Sequence, residues 1–441
     1  MDYGLDTLQE WDKKICDLAH KHGLDWFEID YETIDYYEMI GAMAHHGMPS
    51  MYNHWSFGKS FERTHHMYGL GQEGLPYELI INSNPSIAYL MRENPLPLQI
   101  LIMAHCVGHS DFFKNNRMFK NTRPETVIQR NRAAKKRIQE YVEDPTIGID
   151  EVEKIIDACH AIQFQTTKHG LRRRNQEEIR DELLMKLKRA REKNDVNERV
   201  KLEMMLNRTP LEPDYDVLGF ISENAKIPDW KRDIIEVIRE EGQYFWPQMQ
   251  TKIMNEGWAS YWHYTLCHEL DLPSELHLPI IKSHNQVIRP HVGGINPYHL
   301  GFHMFQNIKK KKGMEECFIA RESCHDGAFI RQYLDEEICS ELNLFTYSKK
   351  RFDGITIDDV SDEEGWEKIR DDLAKSVGGG SIPVVYVDDV RKNGDLVIRH
   401  EHDGRDLELE HAKNVVRHIR TLWNNDAVLY TMLDNELASI N

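Results

Sequence analysis

The sequence predicts a mainly α-helical fold, α+β overall, with a large helical body at residues 1–344 and a small α+β domain at residues 345–441. Three observations carry this prediction. Apolar residues recur at helical spacing through most of the first part, as in residues 5–22. Residues 382–404 alternate apolar and polar side chains around Asn393-Gly394, a dipeptide typical of β-hairpin turns. A chain of 441 residues is also long enough to bury the cores of two or three domains.

Helical periodicity predicts helices in order at residues 5–22, 31–44, 86–120, 124–142, 149–168, 229–272, 296–312 and 325–343. Residues 45–76 are rich in glycine, proline, histidine and aromatic residues, which predicts an irregular but structured loop. A short strand is expected at residues 77–81 and a turn at residues 82–85. The charge run at residues 170–206 predicts a solvated, salt-bridged helix or an excursion from the core. After the hairpin, a helix and a final strand complete the second domain.

Composition excludes several classes of protein. The formal net charge of -18 disfavours nucleic-acid binding, and the basic clusters at residues 172–174 and 309–312 are short and have acidic neighbours. No apolar run reaches the ~18 residues of a membrane span, and the N-terminus lacks a secretory signal pattern. The seven cysteines form no C-x-x-C pair, which favours reduced thiols and a cytoplasmic protein.

His105 and His109 are the first candidate metal ligands. Residues four apart lie on one face of a helix, and two imidazoles placed in this way can hold one cation. The preceding segment is almost wholly apolar, so both rings are expected to be buried and to need partners for their nitrogens. The alternative is a pair of core histidines hydrogen-bonded to carboxylates.

Glu256 is the third candidate ligand. His263 follows it by close to two helical turns, so both side chains point to the same side of a segment dense in tryptophan. A carboxylate there is costly to bury without a cation or an imidazolium beside it. The interpretation is one divalent metal ion, zinc, held by these residues; the alternative is an ion pair between Glu256 and a histidine.

This order of ligands resembles that of the zincin metallopeptidases, in which two histidines on one helix are followed by a glutamate from a downstream helix. His105 and His109 match the two helix ligands, and Glu256 matches the third. The departure is Cys106, which stands where the peptidase motif has the glutamate that serves as general base. Other candidates for a base are Asp111, Glu78 and His263.

A further pair, Asp157 and His160, shares a helix face. The pair would orient a ligand imidazole or form half of a dinuclear site in a helical bundle. A local hydrogen bond on the helix surface is the alternative.

A substrate cleft is expected to involve the aromatic-rich stretch, the segment after it and the tryptophan-rich helix. Structural packing is the alternative role for each of these residues. The candidates are His54, Trp55, Tyr77, Asn82, Asn84 and Trp258.

Several long and compositionally unusual stretches together resemble the SpoVR family, named for stage V sporulation protein R. They are residues 47–62, 75–90, 103–116, 157–161, 240–263, 296–302 and 329–334. The resemblance implies a cytoplasmic protein of a spore-forming bacterium with a role in forming the spore cortex, a modified peptidoglycan layer. It implies no particular reaction.

Three hypotheses follow. The first is a metal-dependent hydrolase acting on a peptide, an amide or a cell-wall precursor. The second is a non-catalytic regulator or scaffold with a zincin-like body, which binds a protein partner and holds metal without turnover. The third is an oxidase-like bundle that would need two iron or manganese ions per chain.

Overall fold

The computed structural model describes residues 3–70, 78–166, 174–291, 294–349, 355–360 and 365–441. It is mainly helical with small sheets, as the sequence predicts. The helices are α1 (Leu5–Lys21), α2 (Tyr36–Ala44), α3 (Trp55–Gly69), α4 (Leu96–Asn115), α5 (Val127–Glu143), α6 (Gly148–His160), α7 (Gln176–Glu192), α8 (Val196–Leu206), α9 (Val217–Asn224), α10 (Asp229–Gln250), α11 (Lys252–Glu269), α12 (Ser274–Val287), α13 (Pro297–Lys312), α14 (Met314–Ser323), α15 (Asp326–Tyr333), α16 (Glu336–Glu341), α17 (Trp366–Ser376) and α18 (Leu409–Trp423). The strands are β1 (Ile29–Ile34), β2 (Glu78–Ile81), β3 (Ser86–Met91), β4 (Phe345–Lys349), β5 (Ile355–Val360), β6 (Val385–Val390), β7 (Leu396–His400), β8 (Ala427–Leu433) and β9 (Glu436–Ile440).

The chain forms two compact units, each made of two stretches of sequence. The first unit contains Met1–Lys135 and Pro247–Ser381, and the second contains Lys136–Trp246 and Ile382–Asn441. The predicted domain boundary at residue 345 stays a prediction. The two units are defined by packing: α17 follows residue 345 in sequence but packs on α15 within the first unit.

The first unit is built around α4 and α11. Side chains from Leu96 to Phe113 are buried, because a helix that is apolar on every side cannot face solvent. α11 packs against α4 and α13, and α4 also contacts α1 and α12. Both central helices therefore lie in the core of this unit.

A three-stranded sheet of order β1-β3-β2 lies beside α4. β1 pairs in parallel with β3, starting at Ile29 opposite Ser86, and β2 pairs with β3 antiparallel. The sequence prediction of helix at the start of residues 31–44 and 86–120 is wrong, because these segments are β1 and β3. Their pairing joins distant parts of the chain and leaves no local periodic signal.

The predicted irregular loop at residues 45–76 contains a helix, α3. Its N-terminus is capped by His54, and Phe57 is buried against Tyr52 and His45. The predicted loop is therefore wrong over α3, where Phe57 packs against aromatic rings that precede the helix. Residues 71–76 of this prediction lie outside the described residues.

The second unit carries a four-stranded sheet of order β6-β7-β8-β9. The predicted hairpin is present between the antiparallel β6 and β7, with Gly394 at a positive φ of 91°. The Gly394 N–H donates to the Arg391 carbonyl and the Arg391 N–H donates to the Asp395 carbonyl, so three residues connect this pair instead of the two expected.

The charge run at residues 170–206 forms two helices rather than one, and residues 170–173 lie outside the described part of the chain. α7 and α8 pack as a pair and are separated by a turn in which Asn194 has a positive φ of 57°. A small apolar core fixes the pair: Ile179, Leu183, Leu187, Ala190, Leu202 and Leu211.

Two compositional expectations can be compared with the structure. Across the described ranges, every helix falls short of the length or the apolar content needed to cross a bilayer. In the basic cluster at residues 309–312, Lys310 and Lys311 pair with Glu337 and Asp335. Lys312 also pairs with Glu316, so three of the four lysines in that cluster have acidic partners.

Candidate metal centre

Two core helices bring the three predicted ligands together. His105 and His109 come from α4 and Glu256 from α11, and their ligand atoms all lie within 4.8 Å of one another. Glu256 Oε2 is 3.3 Å from His109 Nε2 and 3.6 Å from His105 Nε2. Over the ranges that the structure describes, they form the one such group of histidine, cysteine or carboxylate side chains.

Small residues next to the ligands allow these helices to approach. A Cβ on Gly108 would lie 2.7 Å from the Cα of Ala259, and a Cβ on Gly257 would lie 2.4 Å from the Cα of Gly301. Gly108 precedes His109 and Gly257 follows Glu256, so the closest approaches of α4, α11 and α13 lie beside the ligands.

The N-terminus of α11 is fixed by Asp326, which is buried at the start of α15. Its carboxylate accepts hydrogen bonds from the backbone N–H groups of Ile253 and Met254, both at 2.9 Å. This contact supplies the cap that the helix otherwise lacks, since Thr251 makes no side-chain cap. The cap holds the turn that carries Glu256.

Each ligand imidazole is oriented through its Nδ1. His109 Nδ1 lies 2.8 Å from Asn255 Oδ1, and His105 Nδ1 lies 2.8 Å from His263 Nδ1. The amide oxygen of Asn255 accepts, so His109 carries its proton on Nδ1 and leaves the Nε2 lone pair directed at Glu256. Ligand histidines in metal sites commonly use their second nitrogen in this way.

The residues fit a cation because two facing polar atoms have no hydrogen-bond partner. His105 Nε2 and Glu256 Oε2 are both buried, and neither makes a hydrogen bond of normal geometry to the described residues, although Glu256 Oε2 lies 3.3 Å from His109 Nε2. An unsatisfied buried polar atom typically costs ~1–3 kcal/mol. A divalent ion between these atoms would satisfy both.

The charges at the site favour an ionised carboxylate. Burial opposes ionisation of Glu256, but the His109 and His105 imidazoles lower its pKa well below the usual range. Burial likewise opposes protonation of His109, yet Glu256 and Asn255 raise its pKa overall. The site therefore holds a negative charge that a cation or an imidazolium balances.

Of the three proposed bases, Glu78 is the one that faces this cluster. It is the first residue of β2, and its Oε1 lies 3.8 Å from His105 Nε2. Burial raises the pKa of its carboxyl, as does Glu256, while His105 and His109 oppose that rise. Its side chain is 16% exposed and that of Glu256 is 18% exposed, although the Glu256 Oε2 atom itself is buried.

Asp111 is occupied elsewhere in the core. It accepts hydrogen bonds from the Trp258 indole at 2.8 Å and the Asp25 backbone N–H at 2.9 Å, and it lies 3.6 Å from the Arg321 guanidinium. Burial raises the pKa of the Asp111 carboxyl to about 6. Both of its oxygens are engaged by these groups, and a role for Asp111 as a base stays a prediction.

Cys106 is completely buried next to His105 in sequence. Burial and the Glu78 charge raise the pKa of the thiol well above its usual value. A neutral, enclosed thiol can act neither as general base nor as nucleophile, so Cys106 serves as a small core residue.

His263 lies behind His105, with both nitrogens within hydrogen-bond distance of other imidazoles. Its Nδ1 faces His105 and its Nε2 lies 2.7 Å from His284 Nδ1. The alternative of an ion pair between Glu256 and a histidine is therefore met by His109 and His105, and His263 contacts other imidazoles instead.

Tyr298 is a site residue that the sequence argument missed. Its ring stacks on His105 with centroids 6.0 Å apart and an interplanar angle of 23°. The Glu256 charge, together with burial and Glu78, raises the pKa of its phenol well above the usual value. Tyr298 lies on α13 in one of the family-like stretches, but no spacing rule connects it to the ligands.

The predicted cleft residues have different surroundings. Trp258 is completely buried between Phe305 and Phe318, so it packs in the core and presents no surface to a cleft. Asn82 is also completely buried and donates to the Thr122 hydroxyl at 2.9 Å. Their polar or aromatic character is explained by internal contacts.

Two of the other cleft candidates lie at the surface. His54 is buried and caps α3, whereas Trp55 is 49% exposed and Asn84 is exposed. Tyr77 lies outside the described residues. A substrate role for these four residues stays a prediction.

Asp157 and His160 belong to α6 in the second unit, whereas the three ligands belong to the first. The charge of Asp157 acts on His418 of α18. A role for this pair in orienting a ligand stays a prediction.

Comparison with known proteins identifies the family. A family model described as "SpoVR like protein" matches residues 2–382, and one described as "SpoVR-like C-terminal domain" matches residues 381–434. The "Uncharacterized protein YcgB" of Escherichia coli (strain K12) is 33% identical over 475 residues, covering 97% of this chain and 92% of the relative. No solved structure matches the chain.

Proposed function

The chain belongs to the SpoVR family, and we propose that it is a metal-dependent hydrolase with one zinc ion held by His105, His109 and Glu256. The observation that carries this proposal is the facing pair His105 Nε2 and Glu256 Oε2, buried without hydrogen-bond partners. Two imidazoles and one carboxylate form a ligand set used by catalytic zinc sites that keep an open position. The proposal includes a zincin-like arrangement of the helical body.

A bound zinc ion would polarise a carbonyl group and increase the acidity of water at the site. Glu78 would take up the proton of the attacking water and deliver it to the leaving amine. Its carboxyl lies 3.8 Å from His105, its side chain is partly exposed, and burial raises its pKa, which favours uptake of a proton. The Tyr298 hydroxyl, next to Glu256, would donate a hydrogen bond to the substrate oxygen.

The substrate proposed is an amide of a peptide or of a cell-wall precursor made in the cytoplasm. This assignment rests on the family's association with sporulation, and it would make the protein a contributor to the peptidoglycan of the spore cortex. The Escherichia coli relative has no functional name, so the reaction itself is argued from the site.

A second candidate is a non-catalytic regulator that keeps the metal site and binds a protein partner. Cys106 favours it, because a buried, neutral thiol stands where zincin peptidases have their base. Zinc binding without turnover would distinguish this candidate from the hydrolase.

Elemental analysis by mass spectrometry on the purified protein tests the site. We expect about one zinc ion per chain in the wild type and its loss in His105→Ala and Glu256→Ala. The control is His411→Ala, which removes an exposed histidine on α18 in the other unit and should leave the metal content unchanged. A wild-type protein without metal, even after reconstitution, would refute the hydrolase.

Activity is then measured on peptidoglycan fragments and on simple amide and peptide substrates. Glu78→Gln should keep the metal and lose turnover by ~100-fold or more, the usual contribution of a general base. Metal-loaded wild type without turnover on these substrates would support the regulator. In a spore-forming host, deletion of the gene should alter the muropeptide composition of the cortex.

A further inference from the structure

Three buried imidazoles from three helices follow one another behind the metal centre. His105 on α4 meets His263 on α11 through their Nδ1 atoms at 2.8 Å. His263 Nε2 then meets His284 Nδ1 on α12 at 2.7 Å. All three rings are at most 5% exposed, so water does not compete for these contacts.

The chemistry of imidazole restricts how this chain is protonated. A neutral imidazole has one N–H donor and one acceptor nitrogen, and each contact in the chain requires one donor and one acceptor. His263 is completely buried and lies between the other two imidazoles. Burial, with His268 and His303, lowers the pKa of His284 to about 4. When all three rings are neutral, the hydrogen bonds that join these histidines can run in one of two directions.

The two directions differ in what they present to the metal centre. In the first, His105 Nδ1–H donates to His263, His263 Nε2–H donates to His284, and the His105 Nε2 lone pair faces Glu256. In the second, donation runs from His284 inwards, and His105 carries its proton on Nε2, 3.6 Å from Glu256. Only the first direction leaves His105 able to bind a cation.

We propose that His263 and His284 are positioning residues that hold His105 in the Nδ1–H form, with its Nε2 lone pair directed at the metal centre. This inference rests on the proposed function, because it concerns the same ion. It gives His105 the support that Asn255 gives His109 at 2.8 Å. It also links the ligand to α12, a helix that contributes none of the three ligands.

Two substitutions at His263 test the hydrogen bonds that join these three histidines. His263→Gln keeps one acceptor and one donor at a spacing similar to that of the two ring nitrogens, whereas His263→Leu has neither. Zinc affinity, measured by competition with a chelator, should fall by ~10–100-fold in His263→Leu. It should stay within a few-fold of wild type in His263→Gln, which can still accept from His105.

Nitrogen-15 NMR of the imidazoles in the zinc-loaded wild type gives a second readout that needs no substitution. The expected pattern is an Nδ1–H on His105 and an Nε2–H on both His263 and His284. A proton on Nδ1 of His263, or a folded His263→Leu variant with wild-type zinc affinity, would overturn the inference. If His263→Leu does not fold, the NMR pattern of the wild type decides.

These outcomes separate the inference from the proposed function. Wild-type protein that binds no zinc removes both. If the wild type binds zinc and folded His263→Leu binds it with the same affinity, only the positioning role is refuted and the zinc site is unaffected.

Discussion

Replacing Gly257 by alanine tests whether the crossing of α11 and α13 sets the geometry of the proposed metal centre. The new Cβ would lie 2.4 Å from the Cα of Gly301, 2.5 Å from its carbonyl carbon and 2.9 Å from its oxygen. Ordinary contacts begin at 3.4 Å. All three atoms belong to the backbone, so no side-chain rotation relieves the overlap and the helices must separate by ~1 Å.

The expected effect on stability is the sum of two opposing terms. Overpacking of a core typically destabilises a protein by ~1–3 kcal/mol. Alanine in a helix is favoured over glycine by up to ~1 kcal/mol, which offsets part of that loss. We expect Gly257→Ala to lose about 1–2 kcal/mol net. Because Glu256 is the neighbouring residue, zinc affinity should fall as well.

Urea unfolding monitored by circular dichroism, with chelator competition for zinc, provides the assay. The control is Gly58→Ala on α3, where an added Cβ meets nothing within 4 Å. This variant should be stabilised by up to ~1 kcal/mol and should bind zinc normally. The reasoning is refuted if Gly257→Ala is as stable as wild type, or if both variants lose the same amount.

Two further predictions concern single carboxylates. Burial raises the pKa of Asp326 to about 7, although hydrogen bonds from the amides of Ile253 and Met254 oppose the rise. Aspartates in the unfolded chain titrate at ~3.9, so the folded protein keeps this proton to a higher pH. Stability should therefore fall as the pH rises from about 4 to about 7, and Asp326→Asn should flatten that fall in urea midpoints; an unchanged slope contradicts the assignment. Asp35 forms a capping box with Glu38 at the start of α2, and Asp35→Ala should lose about 1 kcal/mol in the same assay. A variant as stable as wild type would show that this cap contributes nothing.

Much of the helical architecture could be predicted from the sequence. Helix α1 and the central α4 and α11 follow directly from apolar periodicity and from uninterrupted apolar runs. The strand β1 could not, since its partner β3 lies more than fifty residues away; β3 also pairs with the nearby β2, but its side chains fit a helix equally well. Helix α3 was hidden because its aromatic and histidine residues lower helix propensity, while the packing of Phe57 stabilises it.

The candidate site likewise contains residues that the sequence predicts and residues that only the tertiary structure brings to it. The pair His105 and His109 was found because a spacing of four places both rings on one helix face. Glu256 was found because a carboxylate among tryptophans requires a cationic partner. Tyr298 and His284 were not found, because each contacts the site from a separate helix and no local pattern marks it.

The sequence by itself determined which residue types could bind a metal and that they would be buried, because spacing and hydrophobicity are local properties. Only the tertiary structure decided that Glu78 faces the ligands, that Asp111 is occupied by Trp258, and that His263 continues into a chain of imidazoles. The physical reason is that these contacts depend on how closely helices cross. That approach is set by small residues such as Gly257, whose partner Gly301 lies on another helix.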